Sequence, residues 1–164
     1  MKLGKFGKYF LNCFLLLMPI YVWNLIFIDS LPSYYSNATW DDIPLGIAYS
    51  ENILKAIVFI LPFIMMFSLK SKTQKIGFGL YIVGIIVYFL SWTAQIYFPE
   101  SSWSKSLLGV MAPAYTTIIW FVGIGLIGKN SFLKVPYMSA IYIILSVCFV
   151  IIHSIHPYIV FQKI

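Results

Sequence analysis

The chain contains two histidines, three residues apart, in the run His153-Ser154-Ile155-His156-Pro157. Residues at that spacing share one face of a helix, so both imidazoles can reach one ion or one acidic partner. Five acids are available: Asp29, Asp41, Asp42, Glu51 and Glu100. A histidine beside a carboxylate is a general acid–base pair. With a third protein ligand, His153 and His156 would also hold a divalent metal, the one cofactor the sequence suggests. The plain alternative is a pair of interfacial imidazoles bonded to water and backbone carbonyls. Lys55 follows Glu51 by four residues, the favourable order for an ion pair on a helix. Lys55 either pairs and snorkels outward, or offers its charge to an anionic substrate or lipid headgroup.

Two other motifs resemble known chemistry without its setting. Residues 123–129, GIGLIGK, spell G-x-G-x-x-G followed by lysine. Phosphate loops need that pattern between a strand and a helix, with backbone amides facing the phosphate. Here it closes an apolar helix, so close packing and helix termination near Gly128 explain it. Ser102-Trp103-Ser104-Lys105 matches S-x-x-K, but the enzymes that use it need a large soluble domain with further motifs. Asn37-Ala38-Thr39 fits a glycosylation acceptor and is read as chance.

The elements that position these residues follow from composition. The 164 residues are 61% hydrophobic and 10% charged, and mean hydropathy is +0.90. Soluble domains are about 25% charged, so the natural solvent of this chain is lipid. Five apolar segments, about 9–28, 52–69, 76–98, 107–127 and 137–156, are each long enough to cross a bilayer as a helix. Strand alternation for a barrel is absent. The expected fold is an all-α integral membrane protein, one polytopic domain over 1–164 with an outer loop at 29–51. The first segment reads as an uncleaved signal anchor. A form with four spans, one segment lying at the interface, is the rival architecture. No internal repeat appears.

Charge orients the bundle. Lys2, Lys5, Lys8, Lys70, Lys72, Lys75, Lys129 and Lys134 fall on one side with no acid, and all five acids fall on the other. The positive-inside rule therefore predicts a cytoplasmic N-terminus and an extracytoplasmic C-terminus in the plasma (inner) membrane. Tyr34, Tyr35, Trp40, Tyr49 and Trp103 are expected as interfacial anchors. Asp42 is a candidate cap for a short helix starting near Ile43 and Pro44, which either lies on the surface or extends the second span. Every basic residue is lysine, which argues against nucleic-acid recognition. Cys13 and Cys148 fall at different depths and read as small core residues rather than a disulfide.

Polar and small residues mark the inward faces. Gly77, Tyr81, Gly84, Tyr88, Ser91 and Gln95 alternate by four and three in the third span. Gly109, Ala112, Thr116 and Gly123 do so in the fourth, which Pro113 interrupts. Ser139, Tyr142, Ser146, Phe149, His153 and His156 form a stripe on the fifth, and Pro157 marks its expected end or bend. Two functional classes follow. One is a non-enzymatic module that binds a small ligand or lipid, or serves a larger membrane complex or self-association. It predicts a cavity between spans three, four and five, or an exposed glycine seam. The other is a small membrane enzyme with an outward-facing site. It predicts imidazole nitrogens close to a carboxylate inside an open cleft. The candidate polar site comprises His153, His156, Glu51, Lys55, Asp41, Asp42, Glu100, Gln95, Tyr88 and Tyr142. Ion conduction would need a mid-membrane carboxylate path, which the sequence does not suggest.

Overall fold

A computed structural model of the chain describes residues 11–35 and 43–162. Expectations that fall on Lys2, Lys5, Lys8, residues 37–39, Trp40, Asp41, Asp42 and the side chain of Tyr34 lie outside them. The described residues form five helical segments long and apolar enough to cross a membrane, compatible with a small multi-pass membrane protein. The first is a 3-10 turn, Cys13–Leu17, running into α1, Met18–Phe27. The second is α2, Leu45–Ile60, ending in the 3-10 turn Leu61–Phe63. The third is α3, Lys72–Tyr97. The fourth is α4, Leu107–Tyr115, joined through Thr116 to α5, Thr117–Ile127. The fifth is α6, Met138–Phe161.

Glycine lets α3 and α5 meet backbone to backbone. A Cβ on Gly123 would stand 2.6 Å from the Tyr81 nitrogen, and one on Gly77 would stand 2.9 Å from the Gly123 carbonyl oxygen. A Cβ on Gly84 would strike the backbone of Trp120. All six expected seam residues of α3 are buried. The two seam tyrosines reach across to the first span: Tyr81 Oη donates to the Leu16 carbonyl at 2.7 Å, and Tyr88 Oη donates to Asn24 Oδ1 at 2.7 Å. The glycine seams are thus used within the chain. The glycines of 123–129 share in this packing: Gly125 faces Ile143, and Gly128 ends α5 against Met65 and Cys13.

Pro113 removes the N–H that the Gly109 carbonyl would accept within α4. Gln95 supplies it instead: Nε2 donates to Gly109 O at 2.7 Å, and the residue is fully buried. Ser104 of the S-x-x-K run is equally buried, its hydroxyl bonded to the Ala94 carbonyl at 3.1 Å. Both contacts brace the α3–α4 connection.

The second span differs from its sequence expectation. Its helix lies at 45–60, not 52–69, because Pro62 stops it and the following residues bond to neighbouring loops. Cys13 N donates to Met65 O at 2.9 Å, Met66 N to Asn130 O at 2.8 Å, and Phe132 N to Ile64 O at 2.9 Å. These bonds knit three segments together at the lysine-rich end. The helix therefore begins in what reads as outer loop, and Glu51 and Lys55 lie well inside it. Pro157 does not end the last helix either. α6 continues to Phe161, with Pro157 buried within it.

Candidate functional site

Glu51 projects from α2 toward α6, where His153 and His156 both meet it. His153 Nδ1 lies 2.8 Å from Glu51 Oε1 in an aligned hydrogen bond. His156 Nδ1 comes within 2.7 Å of Oε2 as an ion-pair contact, without the alignment of a hydrogen bond. A carboxylate only accepts, so the His153 ring donates Nδ1–H, and in the neutral ring the lone pair then lies on Nε2. Glu51 and His156 are each 5% exposed, whereas the His153 side chain is 26% exposed. The His153 ring stacks on Phe149 with centroids 5.2 Å apart and planes 11° apart. The bond to buried Glu51 and this stack fix the ring from two directions.

His153 forms part of the wall of a cavity of ≈ 230 Å³. The cavity draws on every span, including the first two, rather than only on spans three to five. Asn24 comes from α1, Lys55 and Phe59 from α2, Tyr88 and Trp92 from α3, Pro113 from α4, Trp120 and Phe121 from α5, and Phe149 from α6. At the acid-bearing end Leu31 and Tyr35 complete the wall, and Tyr35 Oη donates to the Val110 carbonyl at 2.6 Å.

The expected site residues divide clearly. Glu51, His153 and His156 meet, and Lys55 and Tyr88 line the adjoining cavity. The expected Glu51–Lys55 pair is replaced: Glu51 is taken by the imidazoles, and Lys55 makes no ion pair among the described residues. Gln95 holds α4 instead of facing the histidines. Tyr142 is fully buried and packs edge-on against Phe121, 6.3 Å between centroids, away from the cavity wall. Glu100 is an exposed surface acid bonded to Lys105. Asp41 and Asp42 lie outside the described residues. Sequence reasoning passed over Asn24, Trp92 and Trp120. Asn24, a lone amide within an apolar span, was the available signal.

The short N···O spacings are those of hydrogen bonds and ion pairs. A cation bound to each atom at about 2.0–2.2 Å in tetrahedral geometry would hold the two further apart. Among the described residues no group of three or more His, Cys, Asp and Glu side chains is arranged to hold a metal. Ligation through the two Nδ1 atoms would require the rings to turn from Glu51, whereas ligation through Nε2 would leave those contacts in place. Comparison with family models, curated proteins and solved structures yields no match.

Proposed function

We propose that the protein is a small membrane-embedded enzyme in which His153 acts as general acid–base on an amphiphilic substrate held in the cavity. The hydrogen bond from His153 Nδ1 to buried Glu51, with the same ring on the cavity wall, carries this reading. Glu51 selects the tautomer, holds the ring and stabilises the imidazolium that forms, the role a buried carboxylate plays behind a catalytic histidine. His156 holds the far oxygen of Glu51. Both are positioning residues. In the reaction, Nε2 takes a proton from the attacking hydroxyl and returns it to the leaving oxygen.

The nucleophile is water or a hydroxyl of the substrate. The lining hydroxyls are engaged in other bonds: Thr117 with the Ala114 carbonyl, Tyr35 with the Val110 carbonyl and Tyr88 with Asn24. The acid-bearing end faces the extracytoplasmic side of the plasma membrane in this reading, so the substrate is lipid-linked or periplasmic. The aromatic wall supports a second reading, ligand binding without chemistry.

Wild type and His153→Gln, reconstituted in vesicles of lipids extracted from the expressing cells, distinguish the two. Mass spectrometry of the lipids should show one species consumed by wild type, and turnover slower by about 100-fold or more in His153→Gln. An amphiphile carried through purification unchanged, with no species consumed by either protein, would establish the binding module. Metal analysis of the double alanine variant of His153 and His156 belongs to the same series. Metal lost with the rings would replace the acid–base role of His153 by a metal centre.

A further inference from the structure

The cavity wall carries several polar groups beside His153, and Lys55, Asn24 and Trp120 are among those that bring donors. Lys55 is the tenth residue after Leu45, the start of α2, and lies inside a helix long enough to span a membrane. A lysine at such a position is costly unless it escapes to water or meets an anion. Among the described residues it has no acidic partner, because Glu51 is engaged by the two imidazoles. Asn24 stands on the same cavity wall, its Oδ1 occupied by the Tyr88 hydroxyl. With Oδ1 so engaged, the NH2 half is left as donor. Trp120 lines the cavity as well. It is 1% exposed, and its Nε1–H has no hydrogen-bond partner. Indole nitrogen only donates, and a buried donor without an acceptor is costly.

An ammonium, an amide NH2 and an orphaned indole N–H call for an oxygen-rich anion. The rings of Phe59, Phe121 and Phe149 on the same wall call for methylenes. Size narrows the choice. At ≈ 230 Å³ the cavity is below the range of about 300–1,000 Å³ for pockets that enclose a whole drug-sized ligand. It takes a head and the first part of one chain, and two chains do not fit.

We infer that the site selects a single-chain amphiphile with a phosphate or carboxylate head, seated on Lys55, Asn24 and Trp120. This rests on the reading of the cavity as a substrate site but not on proton transfer by His153.

Binding tests it without any turnover, since Trp92 and Trp120 report occupancy through intrinsic fluorescence. Protein in nanodiscs is titrated with lysophosphatidic acid, monoacylglycerol, phosphatidic acid and inorganic phosphate. Lysophosphatidic acid should bind at least about tenfold tighter than the other three. Lys55→Gln should remove its advantage over monoacylglycerol, and Lys55→Arg should retain it. The titration reads binding alone, so a failure of the catalytic reading leaves this result intact. Equal binding of monoacylglycerol, or an undiminished preference in folded Lys55→Gln, would overturn the inference. Should Lys55→Gln fail to fold, Asn24→Leu serves in its place and should weaken the same preference. Equal affinity for inorganic phosphate would show that the chain plays no part, and equal affinity for phosphatidic acid would refute the single-chain limit.

Discussion

At the scale of single residues, Glu51 is the pivot. It is buried in an apolar bundle, and its two oxygens are met by two rings from one helix. A carboxylate deprived of such partners is far more costly than a triad replaced outright by apolar side chains. Changing both His153 and His156 to leucine should therefore destabilise the protein by about 3 kcal/mol or more. Adding Glu51→Leu to that variant should recover much of the loss. Thermal unfolding in detergent measures both. A triple variant no more stable than the double would show that the carboxylate is not held by the imidazoles. Sequence alone revealed the inventory, two histidines at helical spacing and a carboxylate on the same membrane side. It did not reveal the pairing, because Glu51 and His153 are brought together by α2 lying against α6. No local pattern announces which helices are neighbours. The local rule for Glu51 and Lys55 pointed to each other, and a longer-range contact prevailed.

At the scale of helices, the seams of α3, α4 and α6 were legible, since small and polar residues recur at the helical period and lipid has no use for them. The start of α2 was legible as one alternative, a helix from near Ile43 and Pro44 that extends the second span, but its end at Ile60 was not. Apolar residues continue past Pro62, and hydropathy does not register that their backbone bonds go to neighbouring loops. The seven-residue shift places Glu51 and Lys55 inside the helix rather than at its entrance. The α3–α5 seam can be tested separately from the site. Gly84→Leu should cost about 1–3 kcal/mol or more by forcing the helices apart, because its side chain would meet the Trp120 backbone. Gly79→Leu, on the same helix with nothing within 4 Å, should stay within about 0.5 kcal/mol of wild type. Equal effects at both positions, read by thermal unfolding, would contradict the packing described for the seam.

At the scale of the whole molecule, the two ends of the bundle differ. Backbone bonds close the lysine-rich end, and Gly128, Met65 and Cys13 pack there. The histidine–glutamate cluster stands toward the other end, beside a cavity bounded there by Leu31 and Tyr35. With the positive-inside rule, this asymmetry has a definite outcome in cells. In a background without Cys13 and Cys148, a cysteine in place of Glu100 should react with a membrane-impermeant maleimide on intact cells. A cysteine in place of Lys72 should react only after lysis. The reverse pattern would turn the site to the cytoplasm and change the pool of substrates it can meet.

The central claim is that His153, held by Glu51, moves protons on a bound amphiphile. The most direct measurement compares His153→Gln with His156→Gln in vesicles of extracted lipid, at equal folded protein and equal bound amphiphile. The account predicts that His153→Gln slows consumption of the substrate about 100-fold or more, while His156→Gln, which leaves the His153 ring on Glu51, slows it much less. Equal turnover by wild type and His153→Gln, or a greater loss in His156→Gln, would contradict it.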